Sequence, residues 1–314
     1  MERGVGKMIK LQGLTREFNG LRAVDDLTFE VKEGEIFGLL GPNGAGKTTT
    51  VRMLCCLIKP TAGRAFVGGY EVGKDGLKIR EMVGLLPEAP GLYGELSAYR
   101  NLEFYAKLYG VSKQKREANI ERFLKMLGLW KRRNDPVGTF SKGMQQKIAI
   151  VRAMVHEPKV LFFDEPTAAL APESAKVVRD FILELKHERR TIFLCTHNLY
   201  EAERLCDRVA VLNTKLIATG SPSELEQKFG PGRTEVQLER VNRKIVDVVR
   251  KLKQVKGVEV LENKLLVEVE NPEVTNPVIV ETVVKHGGRV RYVTRTAHAL
   301  EETYLRLVRE SETR

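Results

Sequence analysis

The sequence predicts an α/β protein: a parallel-sheet layer with an antiparallel β-subdomain before it and a helical lobe within it, followed by a small α+β domain. Three observations carry that expectation. Val160-Leu161-Phe162-Phe163 and Thr191–Cys195 are continuous apolar runs that alternate with helical segments such as Ser174–Glu188, as strands buried on both faces of a parallel sheet do. Ile9 to Phe18 and Leu27 to Val31 alternate apolar and polar residues, as antiparallel strands with one solvated face do. Phe229-Gly230-Pro231-Gly232-Arg233 ends regular structure and offers a hinge.

The elements follow in order. After the alternating strands, Ile36-Phe37-Gly38-Leu39-Leu40 reads as a buried strand, with a glycine-rich loop behind it and a helix starting near Lys47. Ala98–Tyr109 and Lys113–Leu127 place apolar residues at helical spacing and form the lobe. A helix from Ser141 to about His156 precedes the Val160 strand. Beyond the hinge come strand 235–238, helix 243–253, strands 258–262 and 264–269, helix 275–286, strand 289–294 and a last helix 299–309. The expected domains are therefore 1–229 and 230–314. A chain of 314 residues suits two domains, since single cores stop growing at about 250–300 residues.

Composition narrows the function classes. With 42% hydrophobic and 30% charged residues the chain reads as an ordinary globular protein, and no apolar run approaches the ~20 residues that cross a bilayer. The N-terminus lacks the apolar core of a signal peptide, so a cytoplasmic location is expected. Four cysteines, at 55, 56, 195 and 206, show no paired C-x-x-C spacing, which argues against zinc, an iron–sulfur cluster or a disulfide framework. The net charge of +11 is spread along the chain, with clusters at Lys131–Arg133 and Lys186–Arg190 but no basic stripe interleaved with aromatics. No nucleic-acid partner is expected.

Two motifs carry chemistry outright. Gly41-Pro42-Asn43-Gly44-Ala45-Gly46-Lys47-Thr48-Thr49 matches G-x-x-x-x-G-K-[ST] between a strand and a helix. Its glycines permit tight or left-handed turns, so that consecutive N–H groups can surround the phosphates of a nucleotide. Lys47 adds a point charge for the β/γ-phosphates, Thr48 a hydroxyl for Mg²⁺, and the helix its positive end. In the second motif, Val160–Phe163 delivers Asp164 and Glu165 to the carboxyl end of a strand, the edge where α/β sheets place ligands. Asp164 can hold Mg²⁺ and Glu165 can polarise the water that attacks the γ-phosphate.

A third segment, Phe140-Ser141-Lys142-Gly143-Met144-Gln145-Gln146, opens a helix and puts Ser141 and the Gly143 N–H at its start. A helix N-terminus attracts anions, but a serine N-cap beside a permissive glycine needs no ligand. The residues alone leave both readings open.

In this order the three segments resemble the motifs of ATP-binding cassette (ABC) proteins. Gly41–Thr48 resembles Walker A, Ser141–Gln145 the family signature, and Val160–Glu165 Walker B with its catalytic glutamate. His197, in Leu194-Cys195-Thr196-His197-Asn198, is similar to the switch histidine, and Phe18 sits where the family stacks an aromatic on adenine. The resemblance covers about residues 8–228. It implies a P-loop NTPase fold with a RecA-like core and binding of ATP and Mg²⁺. It also implies two copies packed head to tail, so that Ser141 and Gly143 of one cap the γ-phosphate held by the other. His197 is then expected to reach that phosphate, although a histidine after a strand can equally be a satisfied polar residue.

Three positions depart from the family pattern. Glu88, in Leu86-Pro87-Glu88-Ala89-Pro90, stands where glutamine is usual; its carboxylate can still ligate Mg²⁺, and a stronger Mg²⁺ dependence is expected. Lys142 replaces a signature glycine, and Ala171 replaces an aspartate in Ala168-Ala169-Leu170-Ala171. The resemblance also implies a separate polytopic membrane permease whose cytoplasmic helix docks near Leu92, Tyr93, Tyr99, Phe104 and Tyr105, residues that by helical spacing alone could simply be core. The protein would then be peripheral on the inner face of the membrane. The ending Thr296–Leu305 resembles that of ATPase subunits of ABC-2-type exporters, the daunorubicin-resistance-like group. Two other classes fit less well. A soluble ABC ATPase on ribosomes or nucleic acid tends to carry tandem cassettes or coiled-coil insertions, and a GTPase needs N-K-x-D where this chain has Asn213-Thr214-Lys215-Leu216.

Overall fold

The computed structural model describes residues 6–89, 91–229, 232–269, 271–295 and 299–312. They form β1 (Lys7–Phe18), β2 (Leu21–Lys32), β3 (Ile36–Leu40), α1 (Lys47–Leu54), β4 (Ala62–Val67), β5 (Tyr70–Glu71), α2 (Gly76–Met82) and β6 (Val83–Leu86). Next come α3 (Ala98–Leu108), α4 (Lys113–Met126), α5 (Lys142–Met154), β7 (Val160–Asp164), α6 (Pro172–His187), β8 (Thr191–Thr196), α7 (Leu199–Leu205), β9 (Arg208–Asn213) and β10 (Lys215–Gly220). The remainder is α8 (Pro222–Phe229), β11 (Gly232–Leu238), α9 (Arg243–Arg250), β12 (Val255–Leu261), β13 (Lys264–Val269), α10 (Pro272–Lys285), β14 (Val290–Arg295) and α11 (Ala299–Glu312).

The chain divides into two compact units, Met1–Thr219 and Gly220–Arg314. The expected boundary after Phe229 thus moves upstream, because α8 packs on α11 and belongs with the C-terminal unit. Gly230 and Pro231, the expected hinge, lie outside the described residues.

In the first unit the sheet order is β10-β9-β3-β8-β7-β6, and β9, β3, β8, β7 and β6 run parallel. β3, β7 and β8 are buried at every position, which is why their sequences are continuously apolar instead of alternating. A second sheet, β2-β1-β4-β5, is antiparallel. Phe29 of β2 stacks on Phe37 of β3 at 5.1 Å between ring centroids and on Phe193 of β8 at 6.3 Å. Phe162 of β7 extends the cluster at 5.5 Å from Phe193, so the core between the sheets is joined by rings worth about 0.5–1.5 kcal/mol per pair beyond their area.

This arrangement positions the site. Leu40 pairs with Thr196 and Asp164 pairs with Cys195, so the segments after β3, β7 and β8 leave the sheet side by side at its carboxyl edge. The helical lobe forms as expected: α3 and α4 pack on each other and on α5.

The second unit runs β11-α9-β12-β13-α10-β14 with sheet order β12-β13-β11-β14, each neighbouring pair antiparallel. This is a split βαβ arrangement. Its core packs Val236, Leu265 and Val267 of the sheet with Ile245, Val249, Ile279 and Val283 of the helices. The structure shifts several expected boundaries. α10 begins at Pro272 because the Asn271 side chain accepts from the Glu273 and Val274 N–H groups and proline suits the first helical position. β12 ends at Leu261, where Glu262 turns through φ 49°.

Candidate functional site

The glycine-rich loop is shaped by two different constraints. Gly46 caps α1 at φ 97°, and a Cβ there would lie 2.4 Å from the Ala23 carbonyl oxygen. Gly41 is not left-handed; a Cβ there would lie 2.4 Å from the Leu212 carbonyl oxygen, so its role is close approach to β9. No side chain caps α1, which leaves its first N–H groups to an anion. The buried Lys47 Nζ donates to the carbonyl oxygens of Gly41 at 2.7 Å and Pro42 at 3.0 Å. The loop therefore holds its lysine folded back over its own turn.

Across the sheet edge, Thr48 Oγ1 donates to Asp164 Oδ2 at 2.7 Å. Asp164 is only 3% exposed, and that desolvation pushes its carboxyl above the usual range. The Thr48 hydrogen bond and the Lys47 charge oppose the rise, while the negative charges of Glu165 and Glu88 add to it. Such a carboxylate favours a cation beside it. Among the described residues no group of three or more His, Cys, Asp or Glu is close enough to hold a metal alone. The hydroxyl and carboxylates of Thr48, Asp164 and Glu88 thus fit a cation that also takes phosphate oxygens.

Glu165 follows at φ 51°, a left-handed conformation that is uncommon for a side chain of this size. Its N–H donates to the Cys195 carbonyl at 2.9 Å. Its Oε1 accepts the His197 N–H at 3.0 Å and lies 2.7 Å from His197 Nδ1, while Thr196 Oγ1 stands 3.5 Å from Oε2. The exposed His197 ring thus rests on a carboxylate that β7 carries and β8 orients.

Asn43 to Thr49, Glu88, Asp164 and Glu165 line one cleft of ≈ 300 Å³. Gly41 and Pro42 lie behind it as acceptors for Lys47. Ser141 and Gly143 do not line it. Ser141 is an exposed N-cap of α5 that accepts from the Met144 N–H at 3.3 Å. A Cβ on Gly143 would lie 3.0 Å from Ser174 Oγ, so a larger residue here would require the Ser174 side chain on α6 to give way. Phe18 is also outside the cleft, 41% exposed, with the Arg16 guanidinium 4.3 Å over its ring.

Of the expected docking residues, Tyr93 and Phe104 are exposed and meet edge to face at 5.4 Å, with Tyr105 stacked 6.3 Å from Tyr93. Tyr99 and Leu92 are half-buried. Gln146, to which the sequence assigns no role because a glutamine inside a helix carries no local signal, donates its Nε2 to the Pro166 carbonyl at 3.1 Å.

The family model described as ABC transporter matches residues 24–168. The linearmycin resistance ATP-binding protein LnrL of Bacillus subtilis is 32% identical over 285 residues, which span 89% of this chain and 91% of LnrL. This chain belongs to the ATP-binding subunits of ABC transporters. A fluoroquinolones export ATP-binding protein of Mycobacterium tuberculosis is 39% identical over 236 residues, 74% of this chain and 76% of that protein.

Among solved structures, the ATP-binding subunit of an ABC transporter superposes with a TM-score of 0.66 at 32% identity, covering 71% of this chain and 93% of that one. A dimeric cassette in a post-hydrolysis state with ADP and phosphate has a TM-score of 0.62 at 25% identity, covering 68% of this chain and 98% of that one. The ABC subunit binds ATP and is an ATPase, and its fold is the P-loop cassette. No helix among its described residues is long and apolar enough to cross a membrane.

Proposed function

We propose that this ABC subunit powers a separate polytopic membrane permease, as an exporter, through ATP-dependent pairing of two copies. One observation carries the pairing: Lys47, Thr48, Asp164 and Glu165 share a cleft, whereas the exposed Ser141 end of α5 does not line it. Each chain thus offers a nucleotide cradle and, apart from it, a helix start suited to a phosphate. A second copy turned head to tail brings its Ser141 and Gly143 to the γ-phosphate held by the first. The solved dimeric cassette is in keeping with this.

Within the half-site, the turn from Gly41 to Thr49 surrounds the phosphates and Lys47 turns from its loop carbonyls toward them. Thr48, Asp164 and Glu88 would hold Mg²⁺, which supplies charge neutralisation for the phosphate oxygens. Glu165 takes a proton from the attacking water and His197 holds that carboxylate in place, its ring reaching the γ-phosphate. Phe18 offers its ring face to adenine.

Export as the direction rests on the relatives named for resistance and for fluoroquinolone export and on the C-terminal resemblance, of which Thr296 to His298 lie outside the described residues. The exposed Tyr93 and Phe104 suit a permease helix. The C-terminal unit is proposed as an accessory domain. Affinity capture of the full chain from detergent-solubilised native membranes tests the assignment. Recovery of a polytopic protein is expected, and recovery of ribosomes or nucleic acid alone would overturn it.

A further inference from the structure

We propose that Glu201, buried on the helix that follows His197 and facing the segment that carries Glu165, is a positioning residue for Glu165. The proposal rests on the reading that Glu165 acts on water.

The segment 165–170 leaves β7 and ends at Ala171, the N-cap of α6. Side chains grip three consecutive residues of it. His197 meets Glu165, Gln146 of α5 donates to the Pro166 carbonyl, and Thr167 Oγ1 donates to Glu201 Oε1. Two tight turns, Ala168 N–H to the Glu165 carbonyl and Leu170 N–H to the Thr167 carbonyl, each at 3.2 Å, make the segment short and stiff. A shift of Thr167 is therefore passed to Glu165.

Glu201 lies on α7, which starts directly after His197. Asn198 caps that helix by accepting from the Glu201 N–H at 3.2 Å. Arg179 of α6 donates to the same Oε1 at 3.3 Å. One carboxylate thus ties together the segment behind Glu165, the helix behind His197 and α6, so it fixes both sides of the Glu165–His197 contact.

The arrangement is costly. Glu201 is 1% exposed, and its Oε2 has no hydrogen-bond partner among the described residues. A buried carboxylate with an unsatisfied oxygen destabilises relative to an apolar group of similar shape. Packing alone would be better served by methionine or leucine, whereas fixing Thr167 needs an acceptor at this point.

The test compares Thr167→Val, which keeps the shape and removes the donor, with Thr167→Ser, which restores it, and with Glu201→Gln. Steady-state ATP hydrolysis and thermal melts are measured on the full chain. Thr167→Val should lower kcat about tenfold with KM for ATP changed less than about twofold, as expected when an interaction made in the transition state is weakened, whereas Glu201→Gln, whose amide oxygen still accepts from Thr167, should lose less than Thr167→Val. Thr167→Ser should recover most of the rate. In a Glu165→Gln background, Thr167→Val should cause no further loss. A wild-type kcat in a folded Thr167→Val protein, or a full additional loss on top of Glu165→Gln, overturns the proposal. A Glu165→Gln enzyme with wild-type turnover overturns the reading beneath it, and the two failures are told apart by that single variant.

Discussion

His197 Nδ1 lies 2.7 Å from Glu165 Oε1, the same oxygen that accepts the His197 N–H at 3.0 Å. A carboxylate oxygen only accepts, so the proton of this contact sits on Nδ1, and Nε2 takes no part in it. The histidine is thereby oriented by the residue it serves.

Removing the ring should therefore hurt the rate more than the binding. His197→Ala is expected to lower kcat about a hundredfold, with KM for ATP changed little. Steady-state hydrolysis at saturating Mg²⁺ measures it, and a rise in KM with an unchanged kcat would assign His197 to binding instead.

Asp164 illustrates a site held against stability. Its carboxyl stands above the usual range because it is desolvated, so the folded chain binds more protons than the unfolded chain between the two values. That contribution makes the nucleotide-free protein less stable as pH rises through the window, and the cost remains at neutral pH. Asp164→Asn should raise the stability of the nucleotide-free protein by about 1 kcal/mol while abolishing ATP turnover. Chemical denaturation at pH 7 without nucleotide checks the sign.

Ala171, read in the sequence as the loss of a family aspartate, proves to be the N-cap of α6 with no side-chain hydrogen bond. Ala171→Asp should stabilise the protein by about 1 kcal/mol, since aspartate at an N-cap satisfies one of the orphan N–H groups. A denaturant midpoint that does not move would show that the loop geometry forbids the cap.

His156 predicts a pH dependence outside the site. Its Nε2 lies 3.0 Å from the Val83 carbonyl oxygen and must carry the proton, while Nδ1 is buried without a partner among the described residues. Burial drives its pKa from 6.5 down to about 4. The unfolded chain binds the extra proton first, so this stabilising contribution is present above pH 6.5 and lost as pH falls toward 4. His156→Phe keeps a ring to stack on Tyr109, which lies 3.7 Å away, and should flatten the fall in melting temperature across that window.

What was legible in the sequence was what is local. Gly41 to Thr49, Asp164 and Glu165 announce themselves because strand, turn and helix follow one another along the chain, and the structure gathers Asn43 to Thr49, Glu88, Asp164 and Glu165 into one cleft. The buried strands β3, β7 and β8 were legible as apolar runs. What was not legible depends on neighbours distant in sequence. Gly143 is confined by Ser174, Gly41 by Leu212, and Glu201 meets Thr167 only because α7 returns beside the segment after β7. The edge elements β5, β6 and α2 are short, with too few residues to show a period. The place of α8 is hidden for the same reason: in sequence it reads as the end of the first unit, and only its packing against α11 joins it to the second.

Glu165 is proposed to drive hydrolysis in a site completed by a second copy of the chain. The most direct measurement is light scattering of purified Glu165→Gln with and without Mg·ATP, alongside its turnover. A dimer is expected to form with ATP and to persist while hydrolysis falls to a small residual rate. A monomer at saturating ATP, or turnover at the wild-type rate, would contradict it.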